Sequence, residues 1–487
     1  MNRATNYYDV IVLGDEVAGA AAAALLARRG FRVLLLSTAP AETESVGLFA
    51  VPRMLLPLST IDTPGLRRVL GELNLVPQVR RRMVPHQPPF QLLLPDHRLD
   101  GGEGWSRELE RELPEQAVAS AAFTARAHEL SATLEKLLSQ EVTIPPDGFW
   151  DRRDLKRIAT QLPSDQDATL DELLRRSGLL GGLAAYLFTD LYQPGLIAQA
   201  RAFDLLLRGT CHFEGGREAL RALLHERART YSAEIRYDAL VRGLVVKRGR
   251  VVGVNVGARD EILGCGQVIA AMSAAELTGL LADRPPRRLV QAAALRTPLH
   301  RYHLHMVVPS AILPDALGPL ALAVRLPEAP LVDGNALALF RTPAPGGHAI
   351  LTAQALATDP SPDALAELRN NVLAHVDELF PFVSDWRVAL GSPHDGLSDE
   401  LGPEGTAIAR DPRPMEPVWD FPAPRSLGLC GLAYASGIKE LYFASRQNLP
   451  GLGLDGEFAA GWGVARLITL RSKRREIDKG SLLTAAG

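Results

Sequence analysis

The chain has 487 residues, which is too long for one hydrophobic core and enough for two or three domains. Its hydrophobic fraction of 47% and charged fraction of 22% are those of an ordinary globular protein, and its formal net charge of −3 gives no electrostatic reason to expect a nucleic-acid partner. No run of eighteen or more apolar residues lacks charge or proline and no signal peptide is evident, so we expect no transmembrane segment and a cytoplasmic protein.

The first predicted unit is a strand, a turn, a helix and a second strand within DVIVLGDEVAGAAAAALLARRGFRVLLLS, residues 9–37. The apolar run Val10–Leu13 leads into a turn that begins at Gly14 and closes at Gly19. An alanine-rich helix follows, Gly30 ends it, and residues 33–36 form the next apolar run. This order is typical of a nucleotide-binding β-α-β unit, whose usual fingerprint is G-x-G-x-x-G followed by an acidic residue about 20 positions later.

Two residues depart from that fingerprint. Glu16 stands at the middle glycine, and Ser37 stands where the acidic residue is expected. A carboxylate about 4 Å from a phosphate costs on the order of 4 kcal/mol at an effective dielectric constant near 20. Arg53, a bound cation, or a large share of the affinity from a C-terminal loop could offset this repulsion. If Glu16 opposes a dinucleotide, Glu16→Gly should tighten its binding.

The middle of the chain is predicted to contain helices, followed by strands typical of a nucleotide-binding fold. Residues 85–96 are predicted to be extended or to form a loop, and 105–140 and 167–207 to be helical, with a break at Pro194-Gly195. A Gly215-Gly216 turn then begins a helix to about Thr230, and strands over 234–270 lead to a helix with Ser273 at its N-cap.

The last third is predicted to contain further strands and two long helices. HRYHLHMVV alternates as a strand, and DALAELRNNVLAHVDELFP is an amphipathic helix stopped by Pro381. A strand over 441–444 then precedes the glycine-rich stretch PGLGLDGEFAAGWG and a helix to about Leu470.

Four separated stretches together resemble the FAD-dependent phytoene desaturase and amine oxidase-like flavoproteins. They are the N-terminal β-α-β unit, FEGGREALRALL, AEIRYDALVRGLVVKRGRVVGV and ELYFASRQNLPGLGLDGEFAAGWGVARLI, in the family's order. The resemblance implies a discontinuous Rossmann-like FAD/NAD(P)-binding domain over 1–75, 205–290 and 396–487. A mixed α+β substrate or cap domain would then comprise 76–204 and 291–395.

The same resemblance implies which residues border FAD. The positions are Gly14, Glu16, Gly19, Ser37, Arg53, Val241, Pro450, Gly451, Gly453, Leu454 and Asp455. A helix N-terminus carries partial positive charge and unpaired N–H groups, which suits a diphosphate or a reduced flavin, and glycines allow close backbone approach. Asn448 and Leu449 would lie beside the flavin face, while the helix dipole alone explains Asp455.

No compact catalytic signature is present, and the catalytic residues cannot be assigned. His303 and His305 share one face of a strand but lack a third metal ligand, so ordinary strand histidines are favoured and no metal is expected. Arg301 and Tyr302 could line a substrate pocket. The charged loop SPHDGLSDE is read as solvated, with a general base as the alternative, and Cys430 as a core residue, with a flavin link as the alternative.

Two functions remain open. One is an FAD-dependent oxidoreductase acting on an apolar, isoprenoid-like small molecule, a substrate class taken from the resemblance alone. The other is a degenerate flavoprotein fold without FAD, serving as a binding or scaffold subunit for a partner protein. Glu16 and Ser37 favour the second function, and the intact P-G-L-G loop favours the first.

Overall fold

A computed structural model describes residues 7–37, 44–51, 58–59, 62–162, 172, 180–237, 239–258, 261–281, 285–397, 400–401, 411–422 and 426–472. Within these ranges the strands are β1 (Tyr7–Leu13), β2 (Val33–Leu36), β3 (Glu44–Val46), β4 (Phe49–Val51), β5 (Met83–Pro85), β6 (Gln91–Leu93), β7 (Arg98–Asp100), β8 (Cys211–Phe213), β9 (Glu234–Arg236), β10 (Val241–Lys247), β11 (Arg250–Val256), β12 (Glu261–Ala270), β13 (Arg296–Pro309), β14 (Leu320–Val324), β15 (Ala336–Ala344), β16 (His348–Ala357), β17 (Ala389–Gly391), β18 (Glu400–Leu401), β19 (Glu416–Asp420) and β20 (Leu441–Phe443).

The helices of the same ranges are α1 (Val17–Arg28), α2 (Pro64–Glu72), α3 (Val76–Arg82), α4 (Trp105–Glu112), α5 (Pro114–Leu138), α6 (Phe149–Ala159), α7 (Leu180–Phe188), α8 (Leu196–Leu207), α9 (Gly216–Thr230), α10 (Ala274–Gly279), α11 (Arg287–Ala293), α12 (Pro362–Leu379) and α13 (Gly453–Arg471). Ser273 caps α10 through a capping box with Glu276, as the sequence predicts. The helical region after residue 105 is two helices, because Leu113 between them leaves helical geometry just before Pro114.

One sheet is built around parallel strands from distant parts of the chain. Its order is β10-β11-β12-β1-β2-β9, and β20 also pairs with β12. The pairs β12–β1, β1–β2, β2–β9 and β12–β20 are parallel, whereas β10 and β11 form an antiparallel extension. This arrangement confirms the Rossmann-like fold class.

Small residues bring the helices close to this sheet. The alanine-rich helix α1 is almost wholly buried between β1 and α13. A Cβ atom on Gly461 of α13 would lie 2.6 Å from the carbonyl oxygen of Ala18 in α1. The first and last helices therefore pack backbone to backbone, which places the N-terminal and C-terminal glycine-rich turns in one region of the molecule.

The second sheet is mainly antiparallel and belongs to the other part of the fold. Its order is β18-β17-β13-β16-β15-β14-β6-β7, and β19 pairs with β13. The long strand β13 pairs with β16 over His300–Pro309, and α12 packs its apolar face on this sheet. A separate apolar core joins the other face of the sheet to α4, α5, α7 and α8. The mixed α+β character predicted for the cap is confirmed, and the domain boundaries stay a prediction.

Candidate cofactor and substrate site

The two N-terminal glycines are required by protein packing. Gly14 has a φ of +87°, and a Cβ atom there would lie 2.4 Å from the carbonyl oxygen of Ala271. A Cβ atom on Gly19 would lie 2.4 Å from the Cβ of the same alanine. Helix α1 thus begins against the end of β12, and the side chain of its N-cap residue, Glu16, makes no capping hydrogen bond. The backbone at this helix N-terminus keeps the form that suits an anion.

Glu16 is paired with an arginine from another segment. Its Oε2 accepts hydrogen bonds from Nη2 and Nε of Arg217 at 2.9 and 3.3 Å. The surrounding protein raises the pKa of Glu16, but the charge and hydrogen bonds of Arg217 outweigh this effect and lower it overall. The Glu16 side chain is 48% exposed, so it lies beside the turn with its charge balanced.

Arg217 comes from the Gly-Gly turn at the start of α9. It also donates to Oε2 of Glu457 at 2.5 Å. Two neighbouring carboxylates raise the pKa of Arg217 despite its burial. The sequence interpretation missed this residue and considered Arg53, which lies outside the described residues. The glycine pair Gly215-Gly216 was the available signal, because it positions the residue that follows it.

Ser37 is joined to a carboxylate at the end of β2. Its hydroxyl donates to Oδ2 of Asp15 at 2.8 Å, and both side chains are buried. Burial raises the pKa of Asp15, and Arg221 at 3.4 Å opposes this rise. A cavity of about 300 Å³ adjoins the pair, lined by Asp15, Glu218, Arg221, Ala222, His225, Arg229 and Tyr237. The turn therefore supplies a carboxylate at the place where the fingerprint expects one from β2.

The C-terminal glycines also contact protein backbone. A Cβ atom on Gly451 would lie 2.7 Å from Cα of Leu429, and one on Gly453 would lie 2.6 Å from the carbonyl oxygen of Phe188. Gly453 has a φ of +53°, which a larger residue adopts with strain. Pro450 accepts a hydrogen bond from the amide of Asp190 through its carbonyl oxygen at 2.8 Å. The P-G-L-G turn thus holds the cap against α13.

The polar side chains around that turn are satisfied within the protein. Asp455 accepts from the amide of Leu66 at 3.0 Å and from Arg201 at 2.9 Å. Asn448 accepts from the amide of Ser445 and donates to the carbonyl of Leu432. Leu454 packs on the core around α1, and Val241 packs at the start of β10 on the core across the sheet. Contact of these residues with a cofactor stays a prediction.

A chain of alternating charges leads from the N-terminal turn into the cap. Beyond Glu457, Nε of Arg446 lies 3.9 Å from that carboxylate, and its Nη2 lies 2.6 Å from Asp190. Asp190 is also 3.3 Å from Arg301 on β13. Burial raises the pKa of Asp190, but Arg446 and Arg301 outweigh it and lower the pKa overall. The sequence interpretation missed Asp190 and Arg446, because nothing in their local sequence points to this pairing.

An apolar cavity of about 410 Å³ lies at the cap end of this charge chain. Its lining is Gly182, Ala185, Tyr186, Thr189, Leu191, Tyr192, Gln193, Pro194, Gln199, Leu299, Arg301, Leu331, Val332, Leu356 and Val418. Arg301 donates to the carbonyl oxygens of Tyr186 and Thr189 at 2.7 and 2.5 Å, so its charge is held by the protein. Tyr302 points to the other face of β13, where its hydroxyl donates to Asp395.

The charged loop after β17 is buried, so its interpretation as a solvated loop was wrong for two residues. Asp395 accepts from Tyr302 and from Arg369 of α12 at 2.8 and 3.1 Å. His394 lies 3.2 Å from Nδ1 of His303, whose pKa burial lowers well below its usual value. Asp399 lies outside the described residues.

The described residues contain no group of three or more histidine, cysteine, aspartate or glutamate side chains arranged to hold a metal ion. The three cysteines are free and buried, and burial raises the pKa of Cys430 to about 12. None of the helices that the structure describes is long and apolar enough to cross a membrane.

Comparisons with known proteins agree on the type of fold. No protein-family model matches the chain. Over 301 residues it is 29% identical to hydroxyneurosporene desaturase of Cereibacter sphaeroides, an alignment that covers 57% of this chain and 58% of the relative. The match thus spans less than two thirds of that relative's length.

Solved structures extend the likeness over nearly the whole chain. An oxidoreductase from Methanosarcina mazei has a TM-score of 0.59 at 13% identity, covering 94% of this chain and 99% of its own. Putrescine oxidase bound to putrescine has a TM-score of 0.60 at 15% identity, covering 96% and 99%. Cyclohexylamine oxidase from Brevibacterium oxydans has a TM-score of 0.56 at 15% identity, covering 96% and 100%. Together with the desaturase, these matches confirm the resemblance to the phytoene desaturase and amine oxidase-like flavoproteins.

Proposed function

Since the chain resembles the phytoene desaturase-like flavoproteins and has their fold, we propose that it is an FAD-dependent oxidoreductase that acts on an apolar small molecule. The observation that carries this proposal is the pair formed by Glu16 and Arg217. Glu16 was the main objection to a bound diphosphate, and a bare carboxylate there would repel it strongly. Because Arg217 balances that charge, the turn can accept the diphosphate at the uncapped N-terminus of α1.

Asp15 can supply the carboxylate that is missing at Ser37, the residue that follows β2. Its carboxylate lies against Ser37 and lines the cavity of about 300 Å³ beside the sheet. A carboxylate at this place accepts hydrogen bonds from ribose hydroxyls in dinucleotide-binding folds. Asp15 would hold the adenosine ribose, and the charge of Arg221 beside it would favour the ionised carboxylate against the effect of burial. The residues present therefore fit FAD.

The cap cavity favours an uncharged, apolar substrate. Its walls are mostly aliphatic, and none of the lining residues that the structure describes is an aspartate or glutamate. A protonated amine would lose its hydration there without gaining a carboxylate partner. The cation at its edge, Arg301, is already bonded to two carbonyl oxygens and to Asp190. Bound FAD would supply the acceptor for hydride from such a substrate, and the cavity would orient the substrate and exclude water.

The direct test is binding of FAD to the purified chain. We expect a visible flavin spectrum that persists after gel filtration, either at purification or after incubation with FAD. Asp15→Asn should weaken FAD binding about tenfold, since it replaces an ionised acceptor with a neutral one. Asp385→Asn, at an exposed turn outside the site, is the matched control. Titration by quenching of flavin fluorescence measures both affinities.

Two results would count against the proposal. A colourless protein that cannot be loaded with FAD would favour the scaffold function. If Asp15→Asn and Asp385→Asn bind FAD with the same affinity, the chain is still a flavoprotein, but Asp15 does not contact the cofactor. Anaerobic bleaching of the bound flavin by apolar polyenes, and not by primary amines, would support the substrate class.

A further inference from the structure

A second apolar groove shares none of its described lining residues with the cavities at Arg301 and Asp15. It consists of two adjoining cavities of about 590 and 460 Å³, which share the lining residues Pro146, Arg152 and Ser426. Helix α6 forms one side of the first cavity, and α11 forms one side of the second. We call the two cavities together the basic groove. Their volumes lie within the range of small-molecule binding sites.

The walls of the basic groove are apolar and recessed. Leu155 of α6, Leu289 of α11, Phe421 and Phe443 line it, and each of these side chains is buried. Phe149 stands at the edge of the first cavity and is 72% exposed. Recessed apolar walls suit a single chain lying in the groove, whereas a membrane face needs a protruding apolar surface.

The charged residues among the described lining of the groove all carry positive charge. Arg152, Arg153, Lys156 and Arg288 line it, and none of its described lining residues is an aspartate or glutamate. Arg152, Lys156 and Arg288 have no ion-pair partner among the residues that the structure describes. The acids of α6 are engaged away from the groove, because Asp151 accepts from the amide of Asp147 and Asp154 pairs with Arg157.

One lining residue adopts an uncommon backbone conformation. Leu427, in the first cavity, has a φ of +59°. Bulky residues rarely occupy this left-handed region, and such strain is concentrated at binding sites. The strain is a further indication of a binding site, but the inference rests on the shape and the charge of the groove.

We propose that the basic groove binds one amphipathic anion, a molecule with an apolar chain and a carboxylate or phosphate head. The chain would lie along Leu155 and Leu289, and the head would meet the cations of Arg152, Lys156 and Arg288. This site is separate from the apolar cavity at Arg301, a cation that is already bonded to two carbonyl oxygens and to Asp190. It does not depend on FAD.

The test is isothermal titration calorimetry of the full chain with monomeric laurate and dodecyl phosphate. We expect saturable binding of one molecule, with dodecanol, acetate and inorganic phosphate each bound at least tenfold more weakly. Comparison of laurate with dodecyl phosphate tells which head is preferred. Lys156→Glu and Arg288→Glu should each weaken binding about tenfold or more, and Lys156→Gln by less.

Arg157→Glu is the matched control, because Arg157 is exposed on the same helix but lines neither cavity. Its affinity for laurate should stay within twofold of the unchanged chain. Equal binding of dodecanol and laurate, or equal loss in Arg157→Glu and Lys156→Glu, would overturn the proposal. So would the absence of binding to both amphiphiles, or binding only to vesicles containing phosphatidylglycerol, which would assign a membrane surface instead.

Discussion

The N-terminal and C-terminal glycine-rich turns differ in how well they suit an anionic ligand, and the difference is the reverse of what their sequences suggest. The N-terminal turn has lost its middle glycine, yet the Glu16 carboxylate is balanced by Arg217 and the first turn of α1 is uncapped. The C-terminal turn has all its glycines, yet two of them make room for the backbone of Leu429 and Phe188. Asp455 is likewise bound by Arg201. The less regular turn is therefore the one better suited to an anionic ligand.

This difference shows that glycine spacing alone does not identify a ligand-binding turn. A glycine allows close approach of any atom, and the neighbour can be a cofactor or another part of the chain. In the C-terminal turn one neighbour, Phe188, lies in the predicted cap and the other, Leu429, lies in the predicted FAD-binding domain, so the turn joins two parts of the fold. We therefore expect charge balance at the N-terminal turn to govern cofactor affinity.

The largest expected effect is that of Arg217→Met. This change leaves Glu16 and the buried Glu457 without their shared partner. Removing one member of a buried ion pair costs about 3–5 kcal/mol, so the free energy of unfolding in urea should fall by that amount. Arg227→Met, in the last turn of the same helix, should change it by about 0.5 kcal/mol or less. Similar losses in the two variants would mean that the charge chain contributes nothing specific.

Gly453→Ala should have the next largest effect, and it should appear without FAD. The added Cβ would meet the carbonyl oxygen of Phe188 at 2.6 Å, at a φ of +53°. Overpacking and strain together should cost about 2–4 kcal/mol in free energy of unfolding. Gly71→Ala is the control, because its Cβ would have no atom within 4 Å and should stabilise α2 by about 0.5–1 kcal/mol. If Gly453→Ala instead keeps full stability and loses only FAD affinity, the turn serves the cofactor directly.

The sequence predicts the elements of the fold better than the partners of its charges. The first β-α-β unit, the Ser273 cap and the helix that ends before Pro381 all follow from local patterns, and the structure confirms them. Turn residues and apolar spacing act over a few positions, so they can be read from one segment.

The site depends on contacts between distant segments. Glu16 and Arg217 are 201 positions apart, and Arg217 and Glu457 are 240 apart. The loop with His394 and Asp395 was misread for the same reason, because its burial depends on Arg369 and Tyr302 from other elements. A charged residue can be assigned to solvent or to an ion pair only when the fold brings its partner into place.

Glu16→Gly is the smallest and most discriminating change. A bare carboxylate near the diphosphate would cost on the order of 4 kcal/mol, equivalent to roughly a thousandfold in affinity. Because Arg217 already balances that charge, we expect Glu16→Gly to tighten FAD binding by only about tenfold, measured by quenching of flavin fluorescence. Glycine is acceptable at this N-cap position, so the helix itself should be little affected.

The same change made in the Arg217→Met background separates charge balance from geometry. There Glu16 has lost its partner, so Glu16→Gly should tighten FAD binding by much more than tenfold, and the difference between the two backgrounds measures the coupling of the pair. Glu103→Gly, at an exposed turn in the cap, removes the same charge and should leave the affinity unchanged in both backgrounds. A thousandfold gain in the unaltered chain would show that Arg217 does not shield the phosphates. No gain in either background would show that the carboxylate of Glu16 points away from them, and the charge of the turn would then have no bearing on the cofactor.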